Sequence, residues 1–161
     1  MSNLVKLPKA ATSKAIQYVS FHVAGQILGI PVEQVQEILP PQLVTNVPLA
    51  SPCIAGLINL RGQIVTSLDI RVRLGLEPRS SGSGFMNIIA GSTDDLYAIV
   101  VDSVGDVISV ESMQFSPPPA TLDATWRQCC RGVYQLQQGL LISLDIESLF
   151  TINHSKSLSV A

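Results

Sequence analysis

Residues 56–70 read GLINLRGQIVTSLDI, and residues 132–146 read GVYQLQQGLLISLDI. Laid on each other at a shift of 76, the two stretches agree at six of fifteen positions without a gap. These are the leading glycine, Leu60/Leu136 and the whole of Ser-Leu-Asp-Ile. Most other positions exchange one apolar side chain for another. Each stretch sets two apolar runs around a polar step, Arg61-Gly62 in one and Gln137-Gln138-Gly139 in the other. That is the pattern of a β-hairpin.

The repeat extends upstream. IQYVSFHVAGQILGIPV alternates around Ala24-Gly25-Gln26, and FMNIIAGSTDDLYAIVVDSVGDVISV turns between Ser92 and Asp95. They correspond at a shift of 69, through Ile30/Ile99, Val32/Val101, Glu33/Asp102, Val35/Val104 and Glu37/Asp106. The seven residues by which the shifts differ are absorbed before the last hairpin, where Pro-rich SPPPA forms a stiff loop. A small β unit is therefore duplicated. EQVQEIL can begin a helical turn before Pro40-Pro41 stops it, and DIRVRLGLE adds another, ending near Gly75.

Each half supplies four or five short strands, too few for an open sheet with free edges. Closing each half into a small barrel and packing the two together solves both problems. The expected fold is all-β: two small five-stranded barrels on a shared hydrophobic core, with short helical turns. Residues 1–14 and 151–161 read as tails and 15–150 as the domain. Its lobes run roughly over 15–77 and 85–150, joined by the flexible PRSSGSG (Pro78 to Gly84). Exchange of strands between lobes stays open.

The chain has 161 residues, of which 47% are hydrophobic and 14% charged, against roughly 25% charged in ordinary soluble domains. So few charges leave apolar surface for partners. A net charge of −2 with dispersed basic residues argues against nucleic acid, as does an aromatic content of 5%. The first residues lack the apolar core of a signal peptide, and no run approaches the roughly 18 apolar residues that span a bilayer. Three cysteines without a CxxC spacing fit a reducing cytoplasm.

Catalytic constellations are missing. His22 falls in a strand and His154 in the C-terminal tail, which disfavours a nucleophile–base pair. Asp94-Asp95 reads as turn chemistry, and GSGF lacks the strand–loop–helix setting of a dinucleotide site. The adjacent Cys129 and Cys130 read as unreactive thiols, since neighbours in sequence rarely form a relaxed disulfide. Asp69 and Asp145 each follow a strand and can cap the next turn, worth about 1 kcal/mol. Arg61 behaves differently: its counterpart is Gln137, so one copy's hairpin tip has been specialised. An arginine there reads as a contact for a partner. A ligand-binding or enzymatic β-barrel is the competing reading, and a closed pocket with convergent polar groups would mark it.

GLINLRGQIVTSLDIRVRLGL, ILGIPVEQVQEIL, LYAIVVDSVGDVISV and RGVYQLQQGLLISLDIESLF together resemble the CheW-like family of chemosensory adaptors. The resemblance covers roughly residues 17 to 150, and only TWRQCCRG (Thr125 to Gly132) departs from the pattern. It implies Src-homology-3-like barrels and a non-catalytic, cytoplasmic adaptor without cofactor or metal. It implies two partners, the cytoplasmic tip of transmembrane chemoreceptors and the regulatory domain of the histidine kinase CheA, in arrays beneath the inner membrane. Output through a non-flagellar pathway is the alternative within the family. Carried over by motif, Arg61 serves receptor binding and kinase control, Val35 and Glu37 face the receptor groove, Val107 forms its opposite wall, and Gly56 permits close approach.

Overall fold

The computed structural model describes residues 15–151, apart from 81 and 93. The tails expected at 1–14 and 151–161 lie outside the described residues, except for Thr151, which is helical. Eleven strands follow: β1 (Ala15–Val23), β2 (Gln26–Pro31), β3 (Val35–Leu39), β4 (Ile54–Leu60), β5 (Gln63–Asp69), β6 (Met86–Gly91), β7 (Leu96–Val101), β8 (Ser103–Glu111), β9 (Phe115–Ser116), β10 (Cys130–Leu136) and β11 (Gly139–Leu144). Short helices α1 (Ile70–Arg73) and α2 (Ala124–Cys129), two 3₁₀ turns and a closing helical segment at 146–151 complete them. The hairpins turn where the alternation breaks. The helical turn expected from EQVQEIL is confined to Val32–Gln34, and Val35 onward is strand. Val35 and Ile38 are β-branched and pair with β6, so pairing overrides the weak local helical tendency.

The strands form two sheets, ordered β8-β1-β2-β11-β10-β9 and β3-β6-β7-β5-β4. Neither is confined to one copy of the repeat. In each sheet the first hairpin of one copy joins, through a parallel contact, the second hairpin of the other: β2 with β11 and β7 with β5. The registers agree residue by residue. Tyr18 opposite Pro31 becomes Asn87 opposite Val100, and Ile54 opposite Leu68 becomes Cys130 opposite Leu144. Even the bulges correspond, at Ile54/Gly56 and Cys130/Gly132 and at Val35/Glu37 and Val19/Phe21. The molecule therefore has a pseudo-two-fold arrangement with exchanged strands.

Each sheet is rolled. β8 ends at Glu111 and β9 begins at Phe115, yet these strands stand at opposite ends of the six-strand order. A flat sheet with strands roughly 4.8 Å apart cannot bring its ends within three residues of chain. In the other sheet the chain leaving β3 pairs Thr45 with Leu57 of β4, the opposite edge. The fold is thus two small Src-homology-3-like units, with β9 and the Thr45 bridge as their closing pieces.

A large apolar core lies between the sheets, drawing Phe21, Leu28 and Ile30 from one and Leu68, Ile88 and Ile99 from the other. Smaller cores sit within each unit, around Ile58, Val65 and Ile89 and around Tyr18, Tyr134 and Leu141. Asp69 accepts the backbone N–H of Arg71 at 3.0 Å, and Asp145 accepts the Ser148 hydroxyl at 2.7 Å. Their own N–H groups donate to Cys53 O and Cys129 O at 2.8 and 2.9 Å. The aspartates are shared architecture. Arg73, buried, donates to Leu149 O and Ser148 O at 2.7 and 3.0 Å, tying α1 to the closing helical turn.

Candidate partner-binding surface

The tip between β4 and β5 is a two-residue turn with positive φ at both positions, 49° at Arg61 and 89° at Gly62. Such primed turns match the twist of hairpin strands, and glycine adopts them freely while arginine does not. Asn59 holds the turn by accepting the Gly62 N–H at 2.9 Å through its side-chain oxygen. In the other copy neither Gln137 nor Gln138 has positive φ. The specialisation of this tip is therefore conformational as well as chemical.

Arg61 leaves 73% of its side chain exposed and pairs with Glu37, whose side chain is 29% exposed. Glu37 lies on β3 and Arg61 on the tip of β4, so the pair joins opposite edges of the rolled sheet. An ion pair this exposed contributes well under about 1 kcal/mol to stability. Its charges remain available to a partner.

Val35 stands two residues before Glu37 on β3, half-buried against the shared core. Ile38, beside Glu37, is exposed. Val107 is 53% exposed on β8, the edge of the other sheet, opposite Val19. It occupies the position equivalent to Ile38, so the two edge strands present matching apolar residues. Gly56 sits at the far end of β4, about 16 Å along the strand from Arg61. A Cβ there would collide with Thr45 O and the Val44 side chain of the same chain. The structure thus brings Arg61 and Glu37 into contact, puts Val35 on the same strand as Glu37, places Val107 on an edge of the other sheet and leaves Gly56 five residues before Arg61 on β4.

Other chemistry is poorly provided for. Burial pushes the Cys129 and Cys130 thiols up, which lowers their thiolate fraction and hence their reactivity. Among the described residues, no three His, Cys, Asp or Glu side chains converge to hold a metal ion. Two cavities, of 690 and 640 Å³, are open grooves that share Glu33 and Arg131. Among the described residues no helix is long and apolar enough to cross a membrane. Asn59 was within reach of sequence reasoning, as a short polar residue two before an Arg-Gly turn, able to accept a backbone N–H there. The bidentate pair Arg71–Asp102, at 2.8 and 2.6 Å, joins segments too far apart in sequence to be anticipated.

A family model described as the CheW-like domain matches residues 17–153. The chain is similar to Chemotaxis protein CheW of Klebsiella aerogenes, 30% identical over 152 residues, covering 94% of this chain and 92% of that one. It is also similar to Chemotaxis protein CheW of Treponema pallidum, 27% identical over 158 residues, covering 96% and 93%. Among solved structures it resembles the scaffolding protein TtCheW from Thermoanaerobacter tengcongensis. That match has a TM-score of 0.77 and 26% identity, covering 86% of this chain and 94% of that one.

Proposed function

Because this chain belongs to the CheW-like family of chemotaxis scaffolds, we propose that it couples the cytoplasmic tips of transmembrane chemoreceptors to the histidine kinase CheA. It does so in arrays beneath the inner membrane, and performs no chemistry of its own. Val35, Glu37 and Arg61 form the receptor-facing surface, with Val107 as its opposite wall; Gly56 serves that surface indirectly, by admitting Thr45 and Val44 against β4. The observation that supports this reading best is the Arg61 tip, an exposed arginine kept in a left-handed turn where its repeat partner is relaxed. Ala24 adopts the same positive φ before Gly25 in the β1–β2 turn, so what sets the Arg61 tip apart is its exposed charge.

A helical receptor tip would lay its apolar face on the valines. Arg61 would exchange Glu37 for a receptor carboxylate or helix C-terminal carbonyls, adding register and specificity more than affinity. The test is Arg61→Glu in a reconstitution with receptor signalling fragments and kinase. Expected is an unchanged melting curve with receptor co-sedimentation and receptor-dependent kinase activity both reduced at least about tenfold, a loss of about 1.4 kcal/mol. Wild-type binding by a folded Arg61→Glu chain would remove Arg61 from the contact.

A further inference from the structure

The groove of 640 Å³ is lined by residues of β1, β2, β9, β10 and β11, all strands of the six-strand sheet, whereas the Arg61 tip belongs to the other sheet. Its floor is made of hydroxyl groups. Tyr18, Tyr134 and Ser143 line it, the phenols each 4% exposed and the serine fully buried. Ser143 donates to the Tyr18 hydroxyl at 2.9 Å, and a second hydrogen bond joins the Tyr18 and Tyr134 phenols. The centroids of these two rings are 5.3 Å apart, and Phe115 stands at the same distance from Tyr134.

Three hydroxyls carry three protons, and the two bonds among them use two. Whichever way the Tyr18–Tyr134 bond points, one phenolic proton is left over. Buried hydroxyls are nearly always paired, yet among the described residues no side chain or carbonyl accepts this proton. The repeat shows that the hydroxyl trio is not needed to close a unit. The counterparts of Tyr18, Tyr134 and Ser143 are Asn87, Ile58 and Ser67, and the buried Ser67 hydroxyl has no partner among the described residues. One copy thus sets two phenols over a serine that both copies keep.

Arg131 also lines the groove, exposed and without an ion-pair partner among the described residues. It is near enough for its charge to act on the Tyr134 phenol. Burial, helped by the hydrogen bond to Tyr18, pushes that phenol up to about 12, so it stays protonated at neutral pH. The left-over O–H and the guanidinium are both donors, and together they suit an acceptor that carries negative charge. Ile16, Val32 and Phe115 supply an apolar wall. Glu33, in the same groove, disfavours a second negative charge. These groups describe a ligand with one carboxylate on an apolar body.

We propose that this groove binds a small monocarboxylate with an aliphatic or aromatic body, its carboxylate held between the phenolic O–H and Arg131. The proposal does not depend on the receptor-coupling role.

The test is an NMR titration of the full chain with phenylacetate and isovalerate, alongside phenylacetamide and succinate. Expected are saturable shifts at the Gln17, Val32 and Arg131 amides with both monocarboxylates, and binding at least about tenfold weaker for the neutral amide and the dicarboxylate. Arg131→Gln, a change at an exposed side chain, should keep the wild-type Tm and weaken phenylacetate binding at least about fivefold. Tyr18→Phe combined with Tyr134→Phe keeps both rings and removes both phenolic protons, leaving Ser143 as Ser67 stands in the other copy. It should fold and lose the phenylacetate shifts. Should it fail to fold, Arg131→Gln decides alone. Absence of saturable shifts with both monocarboxylates, equal binding of phenylacetamide or succinate, or undiminished binding by either folded variant would each overturn the proposal.

Discussion

Gly56 and Gly132 show how a single missing side chain supports this fold. Both sit at a bulge where a strand-closing segment crosses, Val44 and Thr45 in one copy, Phe115 and Ser116 in the other. At Gly56 the φ of 147° adds a backbone conformation that other residues rarely adopt. Gly56→Ala should therefore destabilise the chain by about 2 kcal/mol, lowering Tm by about 4–8 °C; thermal unfolding followed by circular dichroism reads this. Loss of receptor binding with an unchanged Tm would instead put the glycine's value at the partner surface. That both copies keep this glycine was visible in the aligned hairpins. What crosses it was not, because residues 40–52 have no periodicity to assign them to a strand edge. Leu43 and Leu49 there are almost fully exposed, at 95% and 105%, so apolar character alone misleads about burial.

Among the elements, the hairpins were legible and their cross-links were not. Alternation set by Val, Ile and Leu locates each turn, and Asp69 and Asp145 were readable as caps because each ends a strand and opens a turn. VQEIL was harder: five residues carry too little pattern to separate a helical turn from an edge strand. The Arg71–Asp102 pair joins α1 to the corner between β7 and β8, and Asp102 also accepts the Ala24 N–H at 2.9 Å. One carboxylate thus ties the first hairpin, the first helix and the second copy together. The Arg71 hydrogen bonds hold the Asp102 carboxyl below its usual value. Its folded-state pKa is depressed, so its stabilisation is complete above the unfolded value of about 3.9 and is lost as pH falls through the lower folded value. Asp102→Asn should cost about 2 kcal/mol at pH 7, for charge-assisted bonds between side chains 19% and 23% exposed. In urea titrations the gap between wild type and variant should close below about pH 4. A gap that stays constant into strong acid would mean that the pair does not couple to folding.

For the whole molecule, the duplication revealed two units and a common core, but not how the strands are shared. Identity between GLINLRGQIVTSLDI and GVYQLQQGLLISLDI says that the hairpins are alike; it cannot say which first hairpin each will join. The choice is made by the parallel contacts of β2 with β11 and β7 with β5, non-local pairings that leave no mark on either partner's periodicity. Because every sheet draws on both copies, neither copy can complete a sheet alone. The first would hold β1–β2 and β3–β5 as fragments of different sheets, with Phe21 and Leu68 losing most of the core that buries them. Residues 1–80 and 81–161 produced separately should each lack amide dispersion and cooperative melting. Mixed, they should associate and recover the native spectrum, since the broken bond lies in the Ser-Gly connection and no strand is cut. A half that folds alone with dispersed resonances would show that a copy can close on itself, and the exchanged order would then not be what stabilises the native chain.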